Sequence, residues 1–261
     1  MNAQPIDFWG LAAAYGLLIF PLAIILWTKT PLLGKMAVAV VRITLQLLFV
    51  GLYLQVVFKL NNPWLNSLWV LVMITAADVS ILHGAGLSVR QLGPPLFMAL
   101  VVGITIPLLY FVGVILNNDN LLEARFVIPI GGMILGNCLR ANVIGVRSFY
   151  QSIRQGNKAF LQQLAEGATL AEATRPFLRN AMQEALAPTI ASMAAMGLVS
   201  LPGMMTGVIL GGSDPSVAVM YQIAIMLSIF VGTSITILLA ILLSRKIAFD
   251  GYGLLDRGLF K

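Results

Sequence analysis

Apolar residues run along this chain in long unbroken blocks, with the polar ones gathered between them. Crossing a bilayer takes about 20 mostly apolar residues per helix. Seven blocks meet that length: 8–28, 36–58, 64–83, 95–116, 127–146, 188–210 and 218–243. Apolar and polar positions do not alternate within them, which excludes the strands of a membrane barrel. The pattern therefore predicts an all-α polytopic membrane protein, with seven transmembrane helices in a single domain over residues 1–261. The first block reads as a span and not as a cleavable signal. Only Asp7, and no Lys or Arg, precedes it, and its apolar run is too long.

The connection at 147–187 differs from the others, being long and polar yet patterned. Phe149, Ile153, Phe160 and Leu164 recur near one helical face, with Arg154, Lys158, Gln162 and Glu166 off it. The pattern pauses at Gly156-Asn157, and Gly167 stands where a helix stops. Thr169-Leu170-Ala171-Glu172 then has the spacing of a capping box, in which hydroxyl and carboxylate satisfy the free backbone N–H groups of a helix start. Leu170, Ala173, Phe177 and Ala181 continue at helical spacing up to Pro188. Two helices around a Gly167-Ala168-Thr169 turn are expected. They either lie on the membrane surface or form a docking element for a cytosolic partner. In the docking reading Gly167 supplies the turn, Thr169 and Glu172 the cap, and Leu164 and Leu170 exposed apolar contacts beside Glu166 and Ala168.

Charge orients the spans. With the N-terminus outside, the inward connections and tail hold Lys29, Lys35, Arg90, Arg147, Arg154, Lys158, Arg175, Arg179, Arg245, Lys246, Arg257 and Lys261. The outward ones hold Lys59 and Arg125 alone. Positive charge concentrates on the cytoplasmic side of membrane proteins, so the expected map has the N-terminus outside, and the C-terminus and 147–187 in the cytoplasm. The net charge of +6 thus reads as topology and not as nucleic-acid binding. Composition agrees: 59% of the 261 residues are hydrophobic, only 10% are charged, and the mean hydropathy is +0.93, against roughly a quarter charged in soluble domains. Cys138 is the only cysteine, which excludes a disulfide framework. The chain carries no phosphate-binding G-x-x-x-x-G-K-[ST] motif, no HExxH, and one histidine, His83. No catalytic residue is expected, and energy for any transport must come from another subunit or an ion gradient.

Charges inside spans are costly and are candidates for function. Arg42 and Asp78 fall at about the same depth, roughly 8–9 Å from the cytoplasmic ends of consecutive spans at 1.5 Å per residue. An ion pair between them is available, as is snorkelling of Arg42 to the headgroups. Arg140 lies at a similar depth and competes for the same carboxylate. It shares the fifth span with Asn137, Cys138, Asn142 and Met133. Gly132 and Gly136 read as a close-packing seam there, and Gly203, Gly207 and Gly211 form a second one at successive i+4 positions, where small residues let helices approach. Pro202 is expected to kink the sixth span. Met193, Met196, Met204 and Met205 surround that kink. They are either apolar filler or soft donors, which suit Cu(I) better than Fe(II). Whether any metal binds is left open.

Several runs resemble one family, the FetB-type iron-export ABC permeases, which also includes the plant aluminium-tolerance permeases. Gly197-Leu198-Val199-Ser200-Leu201-Pro202-Gly203-Met204-Met205-Thr206-Gly207 looks like its signature. Val41-Arg42-Ile43-Thr44-Leu45-Gln46-Leu47, the stretch from Ile128 to Asn137, Gly167-Ala168-Thr169 with Pro188-Thr189, and Tyr221-Gln222-Ile223 resemble its second span, fifth span, long cytoplasmic loop and last span respectively. Cys138-Leu139-Arg140-Ala141-Asn142 departs from it, where the family carries small residues, Met or Asn. The resemblance implies a non-catalytic permease subunit that works as a homodimer in a bacterial inner membrane. A separate ATPase docks on 147–187 and carries the ATP, while this chain binds no cofactor. The implied cargo is iron or a related metal moving out of the cytoplasm, along Asn137, Cys138, Arg140, Asn142 and the four methionines. The arginines keep an anionic solute, such as a metal chelate or a nucleotide-sugar, as an alternative. A gradient-driven carrier is the third reading.

Overall fold

In the computed structural model the described residues are 7–251 and 253–260, with Phe8 and Arg257 described by backbone alone. Lys261, one of the inward charges, lies outside them, as does the Arg257 side chain. The described residues are helical and hold no strand. The first block forms α1 (Phe8–Gly16) and α2 (Ile19–Trp27), separated by a single tight step. Then come α3 (Leu33–Leu60), α4 (Pro63–Ala85), α5 (Val89–Tyr110, continuing as a π-helical turn Phe111–Ile115) and α6 (Ala124–Gln155). The short α7 (Asn157–Ala165) and the longer α8 (Leu170–Ala195) follow. The chain ends with α9 (Gly203–Leu210), α10 (Pro215–Ala248) and a tail with one 3₁₀ turn. Local chemistry sets many of these boundaries. Asn62 caps α4 by accepting from the Trp64 N–H, and Pro63 stands at N1, where its missing N–H costs nothing. Asp214 caps α10 in the same way through Ser216.

Among the described residues six segments are long and apolar enough to cross a membrane: Trp9–Trp27, Leu33–Leu60, Pro63–Ala85, Val89–Ile115, Ala124–Gln155 and Pro215–Ala248. The block at 188–210 is not one helix. Here the expected kink is a full break: α8 ends at Ala195, Met196 turns extended, Gly197 adopts φ +85°, and α9 starts only after Pro202. A residue before proline is pushed out of the helical region, and Gly197 takes a conformation costly to any other residue. Nor is 147–187 a separate pair of surface helices. α6 runs without interruption from its membrane-spanning part to Gln155, and α8 runs from the Thr169 cap through Pro188 to Ala195.

The core is a bundle of α4, α5, α6 and α10, with α8 against α6 and α10. Its tightest seam joins α5 and α10. A Cβ on Gly103 would collide with the Thr236 methyl group and stand 3.0 Å from the Thr236 backbone nitrogen. One on Gly232 would stand 3.1 Å from the Gly103 oxygen, the carbonyl that Pro107 cannot bond. The first helices, by contrast, bury almost nothing within the chain. α1 is tied to α3 by Tyr15 and Thr44 (2.6 Å), and α3 meets the bundle at its far end, where Tyr53 stacks on Trp69 at 4.0 Å.

The segment after α10 folds back over the α4–α5 turn and the ends of α6 and α7. The Ser88 N–H donates to the Leu259 carbonyl (2.9 Å), Leu87 bridges to Phe260, and Leu259 is fully buried. The Arg154 guanidinium sits 4.8 Å over the Phe260 ring, and Phe160 packs on Phe249. The α4–α5 turn, α6, α7 and the end of α10 are thereby joined.

Candidate functional site

The fifth-span residues separate by helical angle, about 100° per residue. Asn137, Arg140 and Ile144 of α6 line a cavity of about 100 Å³, with Pro188, Thr189 and Ser192 of α8 and Met226 of α10 opposite. Cys138 and Asn142 turn the other way and are fully buried between α6 and α10. The Asn142 side-chain N–H groups donate to the Cys138 carbonyl and to Thr236 Oγ1, each at 2.8 Å, and Cys138 Sγ lies 3.8 Å from Thr233 Oγ1. These two residues hold helices together and do not line the cavity.

A second cavity, of about 340 Å³, adjoins the first through Met226. Met193, Met196, Met205 and Met226 line it, with Gln222 and the irregular backbone of the break. Met204 packs instead against the core. Gln222 and Met226 were not among the sequence candidates. Their signal was position: α10 faces the break one turn apart, at 222 and 226. Arg140 is the one charged residue in the wall of either cavity. The described residues contain no group of three or more His, Cys, Asp or Glu side chains placed to hold a metal.

The expected Arg42–Asp78 pair is not formed. Asp78 is buried, its Oδ1 has no hydrogen-bond partner, and it faces Gly93 of α5. Arg42 is exposed on the outer side of α3, in a shallow groove beside Gln46. Equal depth brought the two residues level, but α3 touches the bundle only near its opposite end. The glycine seams also fall differently. Gly132 lies against Met73 of α4, whereas Gly136, Gly203 and Gly207 have no neighbour within 4 Å of a Cβ, and Gly211 meets only carbonyls of its own helix. The close approach sits at Gly103 and Gly232. Its signal was present in Ala99-x-x-x-Gly103 and Ser228-x-x-x-Gly232-x-x-x-Thr236, the same small-residue spacing.

The α7–α8 turn has the expected form. Gly167 is left-handed at φ +94°. The Gly167 and Ala168 N–H groups donate to the Leu164 and Gln163 carbonyls, closing α7 in a Schellman arrangement. The Thr169 hydroxyl and backbone N–H donate to Glu172 Oε2 at 2.6 and 2.8 Å, and the Glu172 N–H donates back to Thr169 Oγ1 at 3.3 Å. Those bonds, the hydroxyl first, hold the Glu172 carboxyl below the usual glutamate range. Leu164 and Leu170 are not exposed contacts. Both are half-buried against the core, and Leu164 packs on Gly253 of the tail. The exposed surface of the turn is Glu166, Gly167, Thr169 and Glu172, continued along α8 by Arg175 and Arg179.

The profile of a family described as Uncharacterised protein family (UPF0014) matches residues 8–249. The chain belongs to the UPF0014 family. The matched segment contains both cavities and the capped turn. The UPF0014 chain is 33% identical over 231 residues to the UPF0014 membrane protein slr1647 of Synechocystis, which covers 88% of this chain and 89% of that one. It is 30% identical over 247 residues to the probable iron export permease protein FetB of Escherichia coli K12 (94% and 93%). It is 32% identical over 196 residues to Protein ALUMINUM SENSITIVE 3 of Arabidopsis thaliana (74% and 69%). No solved structure matches it. The UPF0014 chain is thus an integral membrane protein of several apolar helices.

Proposed function

We propose that the chain is the membrane-spanning permease subunit of an ABC exporter that moves iron or a related metal out of the cytoplasm. A separate ATPase would dock on the α7–α8 turn, two copies of each would make the working unit, and a bacterial inner membrane is its setting. The observation that carries this reading is the continuity of α8. One helix starts at the capped turn and ends at the broken segment, and it lines both cavities with Thr189, Ser192 and Met193 on the way. Its 26 residues span about 39 Å as one continuous helix with Pro176 and Pro188 inside it, so a displacement at the turn is carried toward the cavities along a single element. In this reading the broken stretch at 188–210 also crosses and is the sixth of seven spans, which puts the N-terminus outside and the C-terminus in the cytoplasm. Leu198 and Val199 in the break are 91% and 84% exposed. Irregular backbone at membrane depth is tolerated only against protein or a water-filled cavity, which supports a second copy there. The cargo comes from the relative whose name says iron export.

A second cargo reading has its own observation. Arg140, with no carboxylate beside it in the cavity wall, suits an anionic solute such as a metal chelate better than a bare cation.

The test is reconstitution with the ATPase and measurement of hydrolysis with Fe(II), with anionic chelates and with neither. Gly167→Val should insert normally and lose ATPase co-purification or coupled transport, since a β-branched residue resists the left-handed turn by about 1–2 kcal/mol. If that variant binds the ATPase and transports like wild type, docking lies elsewhere, with the Arg90 turn next in line.

A further inference from the structure

We propose that the methionine-lined cavity is a binding site for a soft monovalent metal ion, Cu(I) or Ag(I), held by thioether sulfurs and the side-chain carbonyl of Gln222. Of the 12 methionines in the chain, four reach this one cavity from four different segments. Met193 comes from α8, Met196 from the break, Met205 from α9 and Met226 from α10. A stripe along a single helix is ordinary apolar filling, but here methionine side chains from four segments converge on one cavity. Gln222 adds an independent observation. It is 7% exposed, its side-chain N–H donates to Met196 Sδ at 3.7 Å, and its Oε1 has no partner. Buried acceptors are nearly always satisfied, and an orphan calls for an explanation. A cation in the cavity supplies one.

The donor set decides the class of ion. Thioether sulfur is a soft ligand that selects Cu(I), whereas hard ions take carboxylate, carbonyl and water oxygens. No carboxylate, thiolate or imidazole lines this cavity. Every donor is neutral, so the ion's full charge stays uncompensated within an apolar wall. That is far more tolerable for a single charge than for two or three. Iron(II) and aluminium(III) are therefore poorly held by this donor set, whatever the chain transports. The site goes beyond the transport reading, because binding needs neither ATPase nor turnover.

The experiment uses the purified full-length chain in lipid nanodiscs under reducing conditions, with Cu(I) titrated against the chelator bathocuproine disulfonate. We expect one Cu(I) per chain with a sulfur-dominated first shell by X-ray absorption, and no competition from Fe(II). Met196→Leu combined with Met226→Leu keeps apolar volume and should weaken binding at least tenfold. Met98→Leu combined with Met220→Leu, both on exposed faces, should leave it unchanged. Gln222→Leu should weaken it several-fold, and it decides the matter if the double variant loses its size-exclusion profile. Cys138→Ser should bind like wild type. No Cu(I) uptake by wild type would overturn the proposal. Equal uptake by the folded Met196/Met226 variant, or loss on Cys138→Ser, would overturn it as well.

Discussion

Gly103→Ala adds one methyl group at the closest helix contact in the bundle. The new Cβ would collide with the Thr236 methyl and stand 3.0 and 3.2 Å from the Thr236 backbone nitrogen and Cα. Thr236 cannot simply rotate away, because its Oγ1 accepts from Asn142 (2.8 Å) and donates to the Thr233 carbonyl (3.0 Å). Overpacking of this kind costs about 1–3 kcal/mol, and losing the Asn142 bond strands a buried amide for about 1–3 kcal/mol more. The helix preference of Ala over Gly offsets about 1 kcal/mol. The net is a loss on the order of 3 kcal/mol, or roughly 6–12 °C in Tm on the scaling for domains of this size. The assay is a thermal scan of monodisperse protein by fluorescence-detected size exclusion. Gly136→Ala, with no neighbour within 4 Å, should be neutral or slightly stabilising in the same scan. Gly103→Ala with Thr236→Ser removes the colliding methyl while keeping the hydroxyl, and should recover part of the loss. If Gly103→Ala matches wild type, or Thr236→Ser rescues nothing, the α5–α10 contact is looser than described and the reasoning fails.

Asp78→Asn should leave thermal stability unchanged or raise it, because the residue is buried and its Oδ1 has no hydrogen-bond partner. The effect of Arg42→Gln should add to it within about 0.5 kcal/mol, and a larger coupling energy would show the two side chains in contact after all. At the α7–α8 turn the Glu172 carboxyl is held below the usual range, so its stabilising effect is complete above ordinary glutamate titration near about pH 4.3. It is lost as pH falls through the depressed value. Hydrogen exchange over 167–174, corrected for its intrinsic pH dependence, should show constant protection from neutral pH to that range, then a decline. Thr169→Ala should lack the plateau, and an identical profile in that variant would remove the capping box from the account.

The membrane helices and the capped turn were legible because each has a local cause. Spans follow from length and hydropathy, and the turn follows from the φ preference of Gly167 and from the Thr169/Glu172 spacing. Other features depend on quantities a linear pattern does not contain. Hydropathy ended the fifth span near 146, but helical hydrogen bonding continues to Gln155, since a helix leaving the membrane needs no apolar residues. The roles of Asn137 and Cys138 differ only by the angle at which α6 faces α10. Arg42 and Asp78 share a depth, but depth fixes one coordinate and leaves the neighbouring helix undetermined. Pro202 alone signalled a kink, and it took the left-handed Gly197 five residues earlier to turn that kink into a break.

Residues 249–260 are synthesised after every span, yet they lock the α4–α5 turn to α6 and α7 through Leu259, Phe260 and Phe249. The face built from the α4–α5 turn, α6 and α7 therefore cannot reach its final shape until residues 249–260 have been made. Until the tail arrives, Leu87, Phe160 and Leu164 lack their covering. The α7–α8 turn therefore takes its packed form only after α10 and residues 249–260 have been made, although it lies well upstream of them in the chain.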